Sequence, residues 1–278
     1  MSQELHQRIT GHTELLALLA HPIRHSSSPR MHNLALTKLG LDYAYLCFEV
    51  DGDNRADAVR ALRTLKVRGA NVSMPNKITV LEYCDEVSPA ARIVGACNTI
   101  VNDGGRLVAY NTDYLAIAQL LERHDAAAGS FAVLGAGGMA KAAVAALTDA
   151  GLGPGTVVSR REEPGRELAD RYGCDRAAFG SDLDADLLLN ATPIGMAGGE
   201  EADDLPVSAA DLARASTVFD VVAFPAETPL VRAAREAGKP VITGAEIIAL
   251  QAAEQFALYT GVRPTDEQVA EASRISRS

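Results

Sequence analysis

Two side chains offer acid–base chemistry close to a place where a dinucleotide could bind. Lys77 ends the run Asn71-Val72-Ser73-Met74-Pro75-Asn76-Lys77, and Asp113 closes Asn111-Thr112-Asp113. Asn98-Thr99 lies between them, and an apolar segment downstream runs into Gly135-Ala136-Gly137-Gly138. An ammonium and a carboxylate just upstream of such a turn suit proton transfer coupled to hydride transfer, the chemistry of an alcohol–ketone oxidoreductase. The alcohol O–H proton must leave as hydride departs from carbon. A lysine whose pKa is lowered by partial burial takes that proton or stabilises the developing alkoxide, and a neighbouring aspartate orients the hydroxyl. The two can titrate as a pair, which leaves open whether Lys77 or Asp113 is the base. An interdomain salt bridge between them is the structural alternative.

The elements that must position these groups alternate between strand-like and helix-like. Glu14–Ala20 is a short apolar strand. Ser28-Pro29 supplies an N-cap and an N1 proline for a helix over 28–39, ended by Gly40. Residues 42–50 read as a strand, 54–67 as a helix, 69–74 as a buried strand, and Pro75 starts a helix toward Tyr83. Residues 97–101 and Arg106–Tyr110, joined by Asn102-Asp103-Gly104-Gly105, form a hairpin. A helix over Thr112–Arg123 leads into a second set. There Phe131–Leu134, 156–159, 186–190, 217–223 and 240–243 are parallel strands, with helices at 138–150, 163–172, 228–237, 245–260 and 264–276. The fold class is α/β: an N-terminal α/β substrate domain plus a Rossmann-type dinucleotide-binding domain. The expected boundaries are 1–113, joined by the C-terminal helices 246–278, for the first and 114–245 for the second.

The match Gly135, Gly137, Ala140 follows a strand and opens an alanine-rich helix, the context that a dinucleotide fingerprint requires. Gly135 permits the tight turn, and Gly137 lets backbone N–H groups approach a pyrophosphate. Ala140 lets the helix pack closely, with the phosphates at its positive end. Ala136, Gly138 and Met139 belong to the same backbone cradle. Cofactor choice falls about 20 residues on, at Ser159-Arg160-Arg161-Glu162-Glu163. Arg160 and Arg161 favour the 2′-phosphate of NADP. The glutamates keep NAD or dual use open, and the arginines can equally be solvated surface residues.

With 278 residues, 47% of them apolar, the chain can bury two cores. A formal charge of −10 disfavours nucleic-acid binding. Four scattered cysteines and a polar N-terminal stretch suggest a cytoplasmic protein with reduced thiols, and no apolar run is long enough for a membrane span. Six histidines without metal-ligand spacing argue against a metal.

The ordered set HSSSP, NVSMPNK, CNT, NTD, GAGG, NATPIGM and LQAAEQF is similar to that of the shikimate dehydrogenases, over nearly the whole chain. The resemblance implies reversible NADPH-dependent reduction of 3-dehydroshikimate, or of a close analogue, in a monomer or homodimer. Ser26 and Ser28 would bind the substrate carboxylate. Without the family, they are an N-cap and turn residues. Ser73 stands where the family has a threonine that touches substrate. Asn98, Asp113 and Gln251 would bind ring hydroxyls, with Lys77 beside the reacting oxygen. Thr192, Val221 and Gly244 would join the cofactor site.

Three departures resemble the divergent shikimate dehydrogenase-like branch. Ala223 replaces a tyrosine that contacts the carboxylate, Tyr114 replaces a glycine, and the loop Gly244-Ala245-Glu246 stands where the family has a second glycine and then Met-Leu. Losing one hydroxyl contact to a charged group costs on the order of 1.5–3 kcal/mol. Alternatives are therefore an NAD-dependent dehydrogenase of quinate or another cyclic hydroxy acid, and a cofactor-binding regulator with little activity. The pair Lys77–Asp113 speaks against the regulator.

Overall fold

Successive side chains of an extended strand leave on opposite faces, and the first strand uses both. The computed structural model describes residues 9–24, 26, 28–126 and 129–276. In it Leu16 and Leu18 of β1 (Glu14–Ala20) enter one core with Leu36, Phe256 and Tyr259. Ala17 and Leu19 enter another with Val59, Leu62 and Leu107. The chain forms two compact units, Met1–Thr112 with Ala249–Ser278, and Asp113–Ile248. The readings of His25 and Ser27 in the HSSSP motif, and of the polar stretch over residues 1–8, lie outside the described residues.

The first unit runs β1, α1 (Ser28–Lys38), β2 (Tyr43–Glu49), α2 (Arg55–Thr64), β3 (Gly69–Val72), β4 (Glu86–Val87), α3 (Pro89–Val94), β5 (Thr99–Asp103) and β6 (Arg106–Tyr110). Its mixed sheet has the order β2-β1-β3-β5-β6-β4. β1 pairs in parallel with β2 and β3, and β5–β6 is the expected antiparallel hairpin. Gly69 is required here: a Cβ on it would stand 2.2 Å from the Tyr259 ring.

The second unit contains α4 (Thr112–Arg123) from its second residue on, β7 (Phe131–Leu134), α5 (Gly138–Asp149), β8 (Gly155–Ser159), α6 (Glu162–Tyr172), β9 (Asp175–Ala178), β10 (Leu187–Asn190), α7 (Ala209–Arg214), β11 (Thr217–Asp220), α8 (Pro229–Glu236) and β12 (Val241–Thr243). Its sheet is wholly parallel, in the order β12-β11-β10-β7-β8-β9. This is the doubly wound arrangement, and the strand order reverses between β7 and β10. The unit boundary falls inside α9 (Gly244–Thr260), whose C-terminal half packs in the first unit before α10 (Asp266–Ser276).

Two expectations need correction. Residues 75–83 do not form one helix: turns lead to a short 3-10 helix over Thr79–Tyr83. The Asn76 N–H bonds back to the Ser73 carbonyl, and its side chain is drawn away to the Val50 carbonyl and Arg55. The helix expected over 54–67 stops at Thr64, where Lys66 turns into the left-handed region at φ 51°. β4, α3, β9 and α7 are additional to the sequence reading.

No helix among the described residues is long and apolar enough to cross a membrane. Nor do the described residues hold a cluster of three or more metal-ligating side chains. The four cysteines are free thiols.

Candidate active site

Ser26, Ser28, Ser73, Lys77, Asn98 and Gln251 line one pocket of about 200 Å³ in the first unit. The serines come from the turn that opens α1, where the Ser28 N–H donates to Ser26 Oγ at 3.3 Å. Lys77 comes from the turn after β3. Its carbonyl accepts from the Cys97 N–H at 2.7 Å, and the preceding Asn76 is fully buried. Arg55 Nε donates to Asn76 Oδ1 at 2.9 Å, and Asn76 Nδ2 donates to the Val50 carbonyl at 2.8 Å. The loop bearing the lysine is thus held from two sides.

Asn98 shows which polarity the pocket offers. Its Oδ1 accepts from Thr99 Oγ1 and the Thr112 N–H, both at 2.9 Å, and its Nδ2 donates to Thr112 Oγ1 at 3.0 Å. The acceptor is occupied, so what remains for a ligand is an amide N–H. The same bonds fix Thr112 at the end of the first unit; Asp113, the first residue of the second, is buried.

Sequence reasoning missed Gln255, Asn71 and Tyr259. Asn71 Nδ2 donates to Gln255 Oε1 at 2.5 Å, and Tyr259 Oη donates to Asn71 Oδ1 at 2.7 Å. Gln255 Nε2 is buried without a partner among the described residues, and Gln255 lines the pocket. One turn of helix separates it from Gln251, a spacing that could have flagged it. Lys77 is the only charged side chain among the described lining residues, and no carboxylate joins them. In a chain of charge −10, such a pocket suits an anion bearing hydroxyls.

A second pocket, in the second unit, opens where the strand order reverses. Gly135, Ala136, Gly137, Ser159, Arg160, Arg161 and Thr192 all line it, from the ends of β7, β8 and β10. Gly135 sits at φ 118°, and a Cβ there would lie 2.9 Å from the Ala191 carbonyl oxygen. At Gly137 a Cβ would project into open space, and no side chain caps α5. A dinucleotide pyrophosphate fits this cradle, because a helix start without a side-chain cap leaves backbone N–H donors available to an anion, and Gly137 directly before it lines the pocket.

Gly138, Met139 and Ala140 lie in the first turn of α5 rather than on the wall of that pocket, with Ala140 fully buried. Val221 and Gly244 are not on its wall either. They pack together: a Cβ on Gly244 would stand 2.4 Å from Val222 backbone and 2.5 Å from the Val221 carbonyl oxygen. Close backbone packing alone therefore requires that glycine.

Gly135→Ala should destabilise the second unit by about 1–3 kcal/mol and weaken dinucleotide binding. Chemical denaturation and cofactor titration check this, and an unchanged midpoint would contradict it.

Two of the departures have structural roles. Tyr114 Oη donates to Asp149 at 2.7 Å, tying α4 to α5. Burial first, then the carboxylate, pushes its phenol up to about 12. Glu246 accepts from the N–H and Oγ1 of Thr243 and lies 2.9 Å from His124 Nε2. Burial opposes its ionisation, but these bonds outweigh burial and hold the carboxyl below its usual range. Thr243-Gly244-Ala245-Glu246 is a capping box legible in the sequence.

A doubly wound unit with a pyrophosphate cradle, joined to a unit with a lysine-bearing polar pocket, has the parts of a nicotinamide-dependent alcohol dehydrogenase. Residues 18–100 match the shikimate dehydrogenase substrate binding domain. The chain is 44% identical to the shikimate dehydrogenase-like protein of Haemophilus influenzae, over 89% of this chain and 91% of that one. It is 42% identical to the shikimate dehydrogenase (NADP(+)) of Streptococcus uberis, over 92% and 93%. The Thermus thermophilus shikimate 5-dehydrogenase, solved with NADP(H) and shikimate, superposes with a TM-score of 0.85 at 33% identity, covering 95% of this chain and all of that one. The chain belongs to the shikimate dehydrogenase family of oxidoreductases.

Proposed function

We propose that this chain catalyses the reversible NADPH-dependent reduction of 3-dehydroshikimate, or of a close analogue, to the alcohol. The observation that carries this reading is the first unit's pocket, with its single lining cation, its serine hydroxyls and its amides, and no carboxylate among the described lining residues. The Ser26 and Ser28 hydroxyls hold the substrate carboxylate beside the start of α1. Ser73, Asn98 and Gln251 bond the ring hydroxyls, with Asn98 acting as a donor, and Gln255 Nε2 supplies a further donor. Asp113 binds the hydroxyl next to the reacting centre.

The nicotinamide, when bound, supplies or accepts the hydride. In the oxidative direction, Lys77 Nζ and the Asp113 carboxylate share removal of the alcohol proton. In reduction, the Lys77 ammonium donates to the carbonyl oxygen as charge develops on it. Gly135–Gly137 and the start of α5 hold the pyrophosphate, and Thr192 borders the same pocket.

A second reading, an NAD-dependent dehydrogenase of quinate or another cyclic hydroxy acid, draws on two observations. Ala223 removes a carboxylate contact, and Arg160 is already engaged by a glutamate. Absorbance at the reduced-nicotinamide band, with shikimate and quinate each paired with NAD and NADP, tests both. The main reading expects the fastest rise for shikimate with NADP. Flat traces in all four mixtures, with cofactor binding intact, would sink both readings.

A further inference from the structure

One of the two arginines that border the cofactor pocket is already occupied. Arg160 makes a two-pronged ion pair with Glu201: Nη1 donates to Oε2 at 2.9 Å and Nη2 donates to Oε1. Its guanidinium also lies over the Phe179 ring, 4.8 Å from the centroid, and Phe179 lines the same pocket. Arg161, the next residue, is exposed and makes no ion pair among the described residues.

Glu201 is not placed by chance rotation of a loose loop. Its carbonyl accepts from the Gly195 N–H at 2.9 Å and the Asp204 N–H at 3.2 Å, which closes the loop that follows β10. Gly195 and Gly198 adopt φ of 86° and 81° in that loop. The loop is acidic, with Glu200, Glu201, Asp203 and Asp204 within five residues. Asp204 also acts electrostatically on Arg160.

We propose that Glu201 is a specificity-determining residue that competes with the 2′-phosphate of NADP for the Arg160 guanidinium. The inference rests on the reading of this pocket as the nicotinamide-cofactor site. A 2′-phosphate carries about −1.5 to −2 charge and is drawn to the same guanidinium, whose two terminal nitrogens Glu201 already engages. Either the carboxylate leaves or two anions share one cation, and both outcomes cost NADP binding and not NAD binding. Arg161 remains as the uncommitted cation. The consequence is weaker discrimination in favour of NADP than two adjacent arginines alone would give.

The test is a fluorescence titration of NADPH and NADH, which needs no substrate. It compares the wild type, Glu201→Gln, Arg160→Gln and the double variant. Glu201→Gln should raise the preference for NADPH over NADH on the order of fivefold. In the Arg160→Gln background, the same change should yield little of that gain. An unchanged ratio in Glu201→Gln, or an equal gain without Arg160, would overturn the competition. Wild-type protein that binds neither cofactor would instead overturn the assignment of the pocket, and the competition with it.

Discussion

Lys77→Met is expected to lower kcat for shikimate oxidation by about 10²–10⁴-fold while NADPH still binds with wild-type affinity. Methionine keeps the length and apolar stem of lysine and removes only the group that takes or gives the proton. The loop should survive, because the neighbouring Asn76 anchors it through the Val50 carbonyl and Arg55. Lys77→Arg should rescue little. A guanidinium stays protonated, so it can stabilise an alkoxide but cannot accept the alcohol proton. Turnover followed at the reduced-nicotinamide band, beside a fluorescence titration of cofactor, separates lost chemistry from lost folding. A methionine variant with full turnover would remove Lys77 from the reaction. A variant that loses cofactor binding as well would show that the loop's integrity depends on the ammonium.

Features carried by local chemistry were legible in the sequence, and those created by distant partners were not. The glycine turn at 135–137 is local: strand, turn and helix are contiguous, and the structure places the whole turn on one pocket. The hairpin of β5 and β6 was likewise signalled by Asn102-Asp103-Gly104-Gly105. α3 carries the same Ser-Pro start as α1, and Ser88 Oγ accepts from the Ala91 N–H, so the element was readable. Only its short length hid it. β9 had no such signal, because Asp175-Arg176-Ala177-Ala178 is neither apolar nor alternating and gains its form by pairing with β8. The bonds from Asn71 to Gln255 and Tyr259 close loops of 184 and 188 residues, beyond the reach of any local pattern. For the same reason Arg160 looked like an uncommitted cation. Its partner Glu201 stands 41 residues away, across a crossover whose closure depends on backbone bonds at Gly195 and Asp204.

His32 should make the first unit acid-labile, by about 3 kcal/mol between pH 7 and pH 4. The ring is 2% exposed and stacks on Tyr45, with centroids 4.4 Å apart and planes 5° from parallel. Its surroundings include Met31, Ala35, Phe256 and Val269, and Nε2 has no partner among the described residues. Burial therefore pushes its pKa down from 6.5 to about 4. The unfolded chain binds the proton first as pH falls, so stability is fully present above 6.5 and drains away between 6.5 and 4. Other groups titrate in or near that window, among them Glu246, whose lowered carboxyl acts in the same sense at the acid end, and Asp220, which burial raises so that it acts in the opposite sense. The comparison with His32→Phe isolates the histidine, since phenylalanine retains the stack and roughly the volume but has nothing to protonate. Urea unfolding at pH 7, 6, 5 and 4 should give a wild-type curve that falls away from the variant's below pH 6.5. Parallel curves would mean that the ring finds a proton acceptor or water in the folded state, and that burial is not what governs it.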